Sequence, residues 1–499
     1  MELVCELPGV QEMGCIVRDM LCHGCYGFCL RFHFRAFSSP SVHPVELQQW
    51  RKGLKDWSSG GWLHMNAAGA SPASQEVHDA TSKMLQQERE LGGYEAEARY
   101  RQHGRDARQA AAELLGCDAE EIALTESAQS AWAKAFGCLD FRPGDRIFCW
   151  ASEYAGNAVA FLQAKKKGAQ LKILPMQADG TVDVQSLCRE LESPSSSRSV
   201  VALTHVQTNS SIIQPAARVG EIAKRFNAIF LLDTCQSIGQ LPVDVRSLNC
   251  DFACGTGRKW LRGPRGTGIL YARKSALPMS KDGRLEHSDS VYKLVGEPLM
   301  IDHVAVSWTS SETYQLSPGA RRFEMWESSP ALHAGLAAAI DVCKSIEPYR
   351  IWKRSSFLAE LLRQNLRQIP GLRIRDAPEE FAGQRCAIVT FEASQLGIAS
   401  EFIKDVLAQR RITSSVAPPF HTFNEQEWAR PSTLRLSPSY YNTEDEVYTV
   451  ANAIREIVQN GAFEWSAAAL LSDPFVFGAT RKRPLTVTLF RSKVQQEAI

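Results

Sequence analysis

Between residues 110 and 275 the chain alternates short apolar runs with segments whose apolar residues recur at helical spacing. EIAL, RIFCW, LKILPM, VVALTHV, AIFLLDT and GILYAR are short and almost continuously apolar, and read as strands buried on both faces. AQSAWAKAFGCL, AGNAVAFLQAKKKG and AARVGEIAKRFN, which lie between them, read as helices. This alternation predicts an α/β fold, a mostly parallel sheet flanked by helices. In such sheets ligands gather outside the carboxyl ends of the strands, so the residues that follow each strand are the first candidates for a site.

The pattern changes after the long helical stretch SSPALHAGLAAAIDVCKSI. One more helix, IWKRSSFLAELLRQNLRQI, precedes alternating strands GLRIRDA, CAIVTFEA and TLRLSPS, which predicts a smaller C-terminal α/β domain. The expected division is an N-terminal extension (1–45), an N-terminal segment with the large domain (46–340), a small domain (341–460) and a tail (461–499). No internal repeat interrupts this scheme.

The chain has 499 residues, of which 44% are hydrophobic and 22% charged, enough for a core that needs no disulfide staples. A formal net charge of +1 argues against nucleic acid and acidic membranes as partners. No apolar run is long enough to span a bilayer. Of the 14 cysteines, Cys5, Cys15, Cys22, Cys25 and Cys29 crowd the N-terminus, and the others sit among apolar neighbours, as reduced thiols of an intracellular protein do. Cys22-x-x-Cys25 with His23 nearby has zinc or redox chemistry available, but no second CxxC completes a zinc pattern, so no metal site is expected. Glu2, Glu6, Glu12 and Asp19 argue against a secretory signal or transit peptide, whereas RFHFRAFSSPSVH has the composition of organelle targeting. The expected compartment is the cytoplasm, with mitochondrion or plastid as the alternative. The basic cluster RKRP in the tail reads as a solvated segment.

The stretch GTGRKWLRGPRGTG sets Lys259 between two glycine-rich turns. Asp233 ends the strand AIFLLD, which has no other reason to carry a carboxylate, and Gln236 follows three residues later. Singly, these are a helix cap and an exposed lysine. Together on strand ends they meet the needs of pyridoxal phosphate: a lysine to bond covalently, a carboxylate to keep the ring nitrogen protonated, and a glutamine to hydrogen-bond the ring oxygen.

LLDTCQSIGQLPVDVRSLNCDFACGTGRKWLRGPRGTGILYAR resembles the class V aminotransferases of pyridoxal-phosphate fold type I. The likeness is to their isopenicillin-N-epimerase-like and C–S-lyase-like branch, which includes hercynylcysteine sulfoxide lyases, and it extends from about residue 60 to 458. The resemblance implies the large and small domains of that fold, with Lys259 as the Schiff-base lysine and Asp233 as partner of the pyridine nitrogen. It also implies Gln236 at the ring hydroxyl, and Thr256 and Arg258 at the cofactor phosphate. Arg258 replaces a histidine frequent in the family and binds phosphate through its planar fork. Ser127, Ala128 and Gln129, in ALTESAQSAW, would turn a helix start toward the phosphate. Tyr154 matches the aromatic group that stacks on the ring, its alternative being a core tyrosine. Asn209, with Thr208 beside it, stands where relatives make a polar cofactor contact. Arg435 in TLRLSPSYYNTEDE would grip the substrate α-carboxylate, and Ser328 or Ser329 would face a partner's phosphate in a homodimer.

Cysteine desulfurases of this class carry a catalytic cysteine on a loop shortly before that arginine, and RRITSSVAPPFHTFNEQEWARPST contains none. Cys386 is expected within a strand instead. The reaction expected is therefore β-elimination from a cysteine conjugate or its sulfoxide, giving pyruvate and ammonia. Transamination and epimerisation of an amino acid are the enzymatic alternatives. A scaffold or binding protein on the same fold is the non-enzymatic one, against which the joint retention of Lys259, Asp233, Gln236 and Arg435 speaks.

Overall fold

A seven-stranded sheet organises the chain in the computed structural model, which describes residues 42–193, 197–277, 297–378, 385–418, 423 and 429–460. Its strands are β1 (Ile122–Thr125), β2 (Arg146–Trp150), β3 (Gln170–Leu174), β4 (Ser199–Thr204), β5 (Ile229–Asp233), β6 (Phe252–Thr256) and β7 (Gly268–Ala272). They lie in the order β1-β7-β6-β5-β4-β2-β3. The run from β6 to β3 is parallel, and β7 is antiparallel to both its neighbours.

Alternate residues of the central strands enter different cores. Phe148, Val201, Phe230 and Leu232 join one apolar cluster, and Ile147, Val200, Ile229 and Leu231 join another. Burial on both faces explains why these strands read as continuous apolar runs. Two expectations need correction. LKILPM is not a buried strand: β3 is the edge of the sheet, with Gln170, Lys172 and Ile173 exposed. β6 escaped the sequence reading because FACGT, with its alanine, cysteine and glycine, carries little strand propensity, although all five of its residues are buried.

A second sheet, β10-β11-β13-β12, is antiparallel throughout, and a hairpin of β8 (Val306–Trp308) and β9 (Tyr314–Leu316) lies between the two sheets in sequence. Its strands are β10 (Arg373–Ile374), β11 (Val389–Glu392), β12 (Ser415–Ala417) and β13 (Thr433–Leu436). Cys386 precedes β11 rather than lying within it. The segment before the first long helix stitches this sheet to the rest. Leu63 bridges Ile412, Asn66 bridges Ser437, and their apolar neighbours Met65, Ala67 and Ala68 are buried in the same core as β11 and β13. Among the described residues no helix is long and apolar enough to cross a membrane. The Cys22/Cys25 pair and the RKRP tail lie outside the described residues.

One glycine holds the two halves of the future site together. Gly239 has φ +81°, and a Cβ there would lie 2.6 Å from the Leu261 nitrogen and 2.8 Å from the Trp260 carbonyl carbon. The chain after Asp233 can thus pass against the Lys259 turn only without a side chain at 239. Gly239→Ala is expected to cost about 1–3 kcal/mol of stability, from the positive φ and the backbone clash together. Urea unfolding measures this, and an unchanged midpoint would contradict the close approach.

Candidate active site

Asp233 closes β5 and is 4% exposed. Its Oδ1 accepts the backbone N–H of Cys235 at 2.8 Å, and its Oδ2 accepts Asn157 Nδ2 at 2.9 Å. Asn157 sits one turn into the helix Ala155–Lys166 and also donates to Glu153 Oε1 at 2.9 Å. The carboxylate is therefore fixed from two sides before any ligand arrives.

The Lys259 turn follows β6, the strand beside β5. Half-buried, the Lys259 amine meets Asp233 and Cys235 as electrostatic neighbours rather than hydrogen-bond partners. Burial is the main cause of a pKa held below the ordinary lysine range; Arg258 and Arg435 act in the same direction, and Cys235 and Asp233 against it. The next residue, Trp260, donates its indole N–H to Gln236 Oε1 at 2.9 Å, and Gln236 Nε2 donates to the Ala68 carbonyl at 3.1 Å. The Gln236 amide is thus engaged at both ends, with one N–H left for a ligand. Arg258 turns back to donate to the Gly69 carbonyl.

Around this floor stand the other predicted residues. Tyr154 is 45% exposed and lines a cavity, so it is not a core tyrosine. Gly156 lets the Tyr154 ring and the Gln129 side chain come close, since a Cβ at 156 would lie 2.9 Å from Tyr154 Cε1 and 2.2 Å from Gln129 Oε1. Ser127 caps the helix Ala128–Gly137 by accepting the Ser130 N–H at 3.1 Å, which leaves the Ala128 and Gln129 amides at the positive end of the helix. Thr256 turns its hydroxyl to the Thr267 carbonyl at 3.3 Å, into the β6–β7 pair. Ser329 caps the helix Pro330–Ile346. Thr208 and Asn209 line the cavity, and their carbonyls brace two side chains of the second sheet: Thr208 accepts from Arg435 Nη1 and Asn209 from the Thr390 hydroxyl, both at 3.0 Å.

Arg435 reaches the site from β13. Its Nε donates to Ser415 Oγ at 3.0 Å, and it is 7% exposed. Burial, with Arg258 adding to it, pushes its pKa down to about 10. Lys259, Arg258 and Arg435 thus share one site, and the carboxylate that faces Lys259 is Asp233. Such an excess of positive charge calls for anions, and the helix start at Ala128 adds to it.

A model of the aminotransferase class-V family matches residues 63–450. The chain belongs to that family. Among curated proteins it is 26% identical over 408 residues to a probable cysteine desulfurase of Methanothermobacter thermautotrophicus, covering 80% of this chain and 95% of the relative. The apo cysteine desulfurase of Thermococcus onnurineus NA1 superposes with a TM-score of 0.71 at 21% identity, over 85% of this chain and 100% of that one. The cystine C–S lyase C-DES, in complex with its reaction product cysteine persulfide, gives a TM-score of 0.65 at 22% identity, over 79% and 98%. These two likenesses show the fold.

This class V protein is accordingly a pyridoxal-phosphate-dependent enzyme. Its own residues fit the cofactor: a buried, pre-oriented carboxylate for the ring nitrogen, a desolvated lysine beside it, and unneutralised cations for the phosphate. The sequence reading missed Glu153, Asn157 and Thr204, and the Ala68–Gly69 carbonyls that receive Gln236 and Arg258. ASEYAGN did hold a signal, a glutamate and an asparagine four apart where a strand gives way to a helix, so that the glutamate just before the helix can meet the asparagine in its first turn.

The lysine's environment has a consequence for the cofactor-free protein. Because its pKa is lower in the fold than in the unfolded chain, the unfolded state binds that proton more tightly, and Lys259 costs stability wherever the amine is charged in both states. That cost fades as pH rises from the folded pKa toward the ordinary lysine value. Lys259→Met is expected to raise the thermal midpoint near pH 7, with a gain that shrinks at alkaline pH. Equal midpoints at pH 7 would mean that the amine is not desolvated.

Proposed function

We propose that this class V enzyme is a C–S lyase that eliminates sulfur from a cysteine conjugate or its sulfoxide, leaving pyruvate and ammonia. The observation that carries the reading is a cavity of about 860 Å³ beside the Lys259 site, walled by Tyr154 and Arg435 and lined by no cysteine among the described residues. Pockets of roughly 300–1,000 Å³ take drug-sized ligands, so a cavity at the upper end of that range suits a cofactor together with a substrate larger than cysteine. A desulfurase that takes the substrate sulfur onto its own cysteine needs a thiol over that sulfur, and residues 410–433 contain none. Cys386 is fully buried with its thiol toward the Ser210 carbonyl at 3.8 Å. Cys235 and Cys254 stand near Asp233 and are not among the described residues that line the cavity. The relatives' names support carbon–sulfur chemistry as the general class.

Bound pyridoxal phosphate supplies a ring that accepts electrons from the substrate α-carbon. Arg435, braced by Ser415 and Thr208, holds the substrate carboxylate through charge-assisted hydrogen bonds. Lys259, its amine favoured in the neutral form by burial, removes the α-proton as general base. Asp233 would hold the proton on the ring nitrogen, and Tyr154 would stand over the ring. The thiolate then leaves the β-carbon, so that conjugate and water become free thiol, pyruvate and ammonium; a sulfoxide releases a sulfenic acid instead. The phosphate would be held by the helix start at Ser127, Ala128 and Gln129 together with Thr256 and Arg258, while Gln236, Thr208 and Asn209 would supply polar contacts. The reading includes a homodimer, as the family resemblance implies.

Pyruvate release from the cofactor-loaded protein, given cysteine S-conjugates and their sulfoxides, tests this, with Lys259→Ala as the blank. The expected result is lysine-dependent pyruvate, faster from conjugates than from cysteine. Arg435→Ala is expected to raise KM by roughly ten- to a hundredfold through the lost charged hydrogen bonds. Conversion of the cofactor to its amine form without pyruvate would make the enzyme a transaminase. Alanine in place of pyruvate, formed from free cysteine, would return it to desulfurase chemistry.

A further inference from the structure

One carboxyl group of the site has no part in that scheme. Glu153, just beyond β2, is 5% exposed. Its Oε1 accepts the Tyr154 backbone N–H at 2.9 Å, Asn157 Nδ2 at 2.9 Å, and the hydroxyl of Thr204 at the end of β4. The same Asn157 nitrogen donates to Asp233 Oδ2 at 2.9 Å. An amide NH₂ carries two hydrogens, so each carboxylate takes one and none is left over. Since β2, β4 and β5 are neighbours in the sheet, three adjacent strand ends deliver Glu153, Thr204 and Asp233, with Asn157, 1% exposed, as the strut between the two acids.

A second buried carboxyl group is an expensive way to hold an asparagine, because an amide would accept the same three hydrogen bonds without a charge to desolvate. Burial pushes the Glu153 pKa up to about 7, and the charge of Asp233 adds to the rise. The other titratable groups that feel Glu153 are thiols, Cys149 in β2 and Cys254 in β6, both driven well above the usual range mainly by burial, so neither offsets its charge. Once ionised, above a pH of about 7, Glu153 places a second negative charge beside Asp233.

We propose that Glu153 is a positioning residue for Asp233: through Asn157 it fixes the orientation of that carboxylate, and its charge strengthens the hold of Asp233 on a proton at the cofactor's ring nitrogen. The inference rests on the placement of Asp233 at that nitrogen given above. A negative charge nearby favours the protonated ring, so removing it must lower the ring's proton affinity.

The test is the ¹⁵N chemical shift of the ring nitrogen in protein loaded with ¹⁵N-labelled pyridoxal phosphate, followed against pH. Glu153→Gln, which keeps the acceptor oxygen, is expected to move the protonation midpoint to lower pH by roughly one unit. Asn157→Ala is expected to move it the same way, and Asp233→Asn to abolish the protonated signal. If Asp233→Asn acts but the Glu153 and Asn157 variants titrate like the parent, the inference fails and the placement of Asp233 stands. If Asp233→Asn has no effect, the placement itself fails. Cofactor-free Glu153→Gln supplies a readout independent of the ring. A glutamate whose folded pKa is raised loses stability as pH climbs from the ordinary glutamate range to its folded value. The variant's thermal midpoint is therefore expected to exceed the parent's above pH 7 and to match it in acid. A midpoint difference that does not change with pH would show only a packing role and overturn the proposal.

Discussion

The site depends on keeping an acid and an amine close together without letting them neutralise one another. Asp233 and Lys259 stand at the ends of adjacent parallel strands, which brings them within electrostatic reach. Yet each is engaged by its own surroundings. Asp233 is turned toward Asn157 and the Cys235 amide, and the Lys259 turn is tied down by the bond from Trp260 to Gln236. An ion pair between them would fix the lysine as an ammonium, useless as a base or nucleophile. Holding them apart leaves a desolvated amine and a buried carboxylate, each available to a ligand placed between them.

The second sheet completes what the first cannot. The large sheet supplies the acid, the lysine and the helix start, but the buried arginine comes from β13 and is oriented by Ser415 on β12 and the Thr208 carbonyl beyond β4. That cross-bracing works because Leu63 and Asn66 bridge to Ile412 and Ser437, and because the Gln240 side chain accepts the Ala387 N–H at 2.7 Å. Arg258 and Arg435 then meet in the site from different sheets, which suits a phosphate and a substrate carboxylate.

The strands buried on both faces were legible because their composition reports burial directly: β2, β4, β5 and β7 stand out as apolar runs. β3 and β6 were not, the first because an edge strand can carry an apolar sequence on an open face, the second because neighbours on both sides impose a strand on residues with little preference for it. At the site, Lys259, Asp233, Gln236 and Arg435 stood out through motif spacing. The roles of Glu153 and Asn157 did not, because they arise from contact across strands far apart in sequence, Asn157 meeting Asp233 76 positions away. The Ala68 and Gly69 carbonyls left no trace at all, since a backbone acceptor has no residue signature.

The central claim is that Lys259 is the residue that bonds the cofactor. Borohydride reduction of the cofactor-loaded protein, followed by proteolysis and mass analysis, tests it most directly. The account predicts the pyridoxyl mass on the lysine of GTGRKWLR, at Lys259, and on no other peptide. A stable label on another lysine, or none on a protein that holds the cofactor, would contradict it.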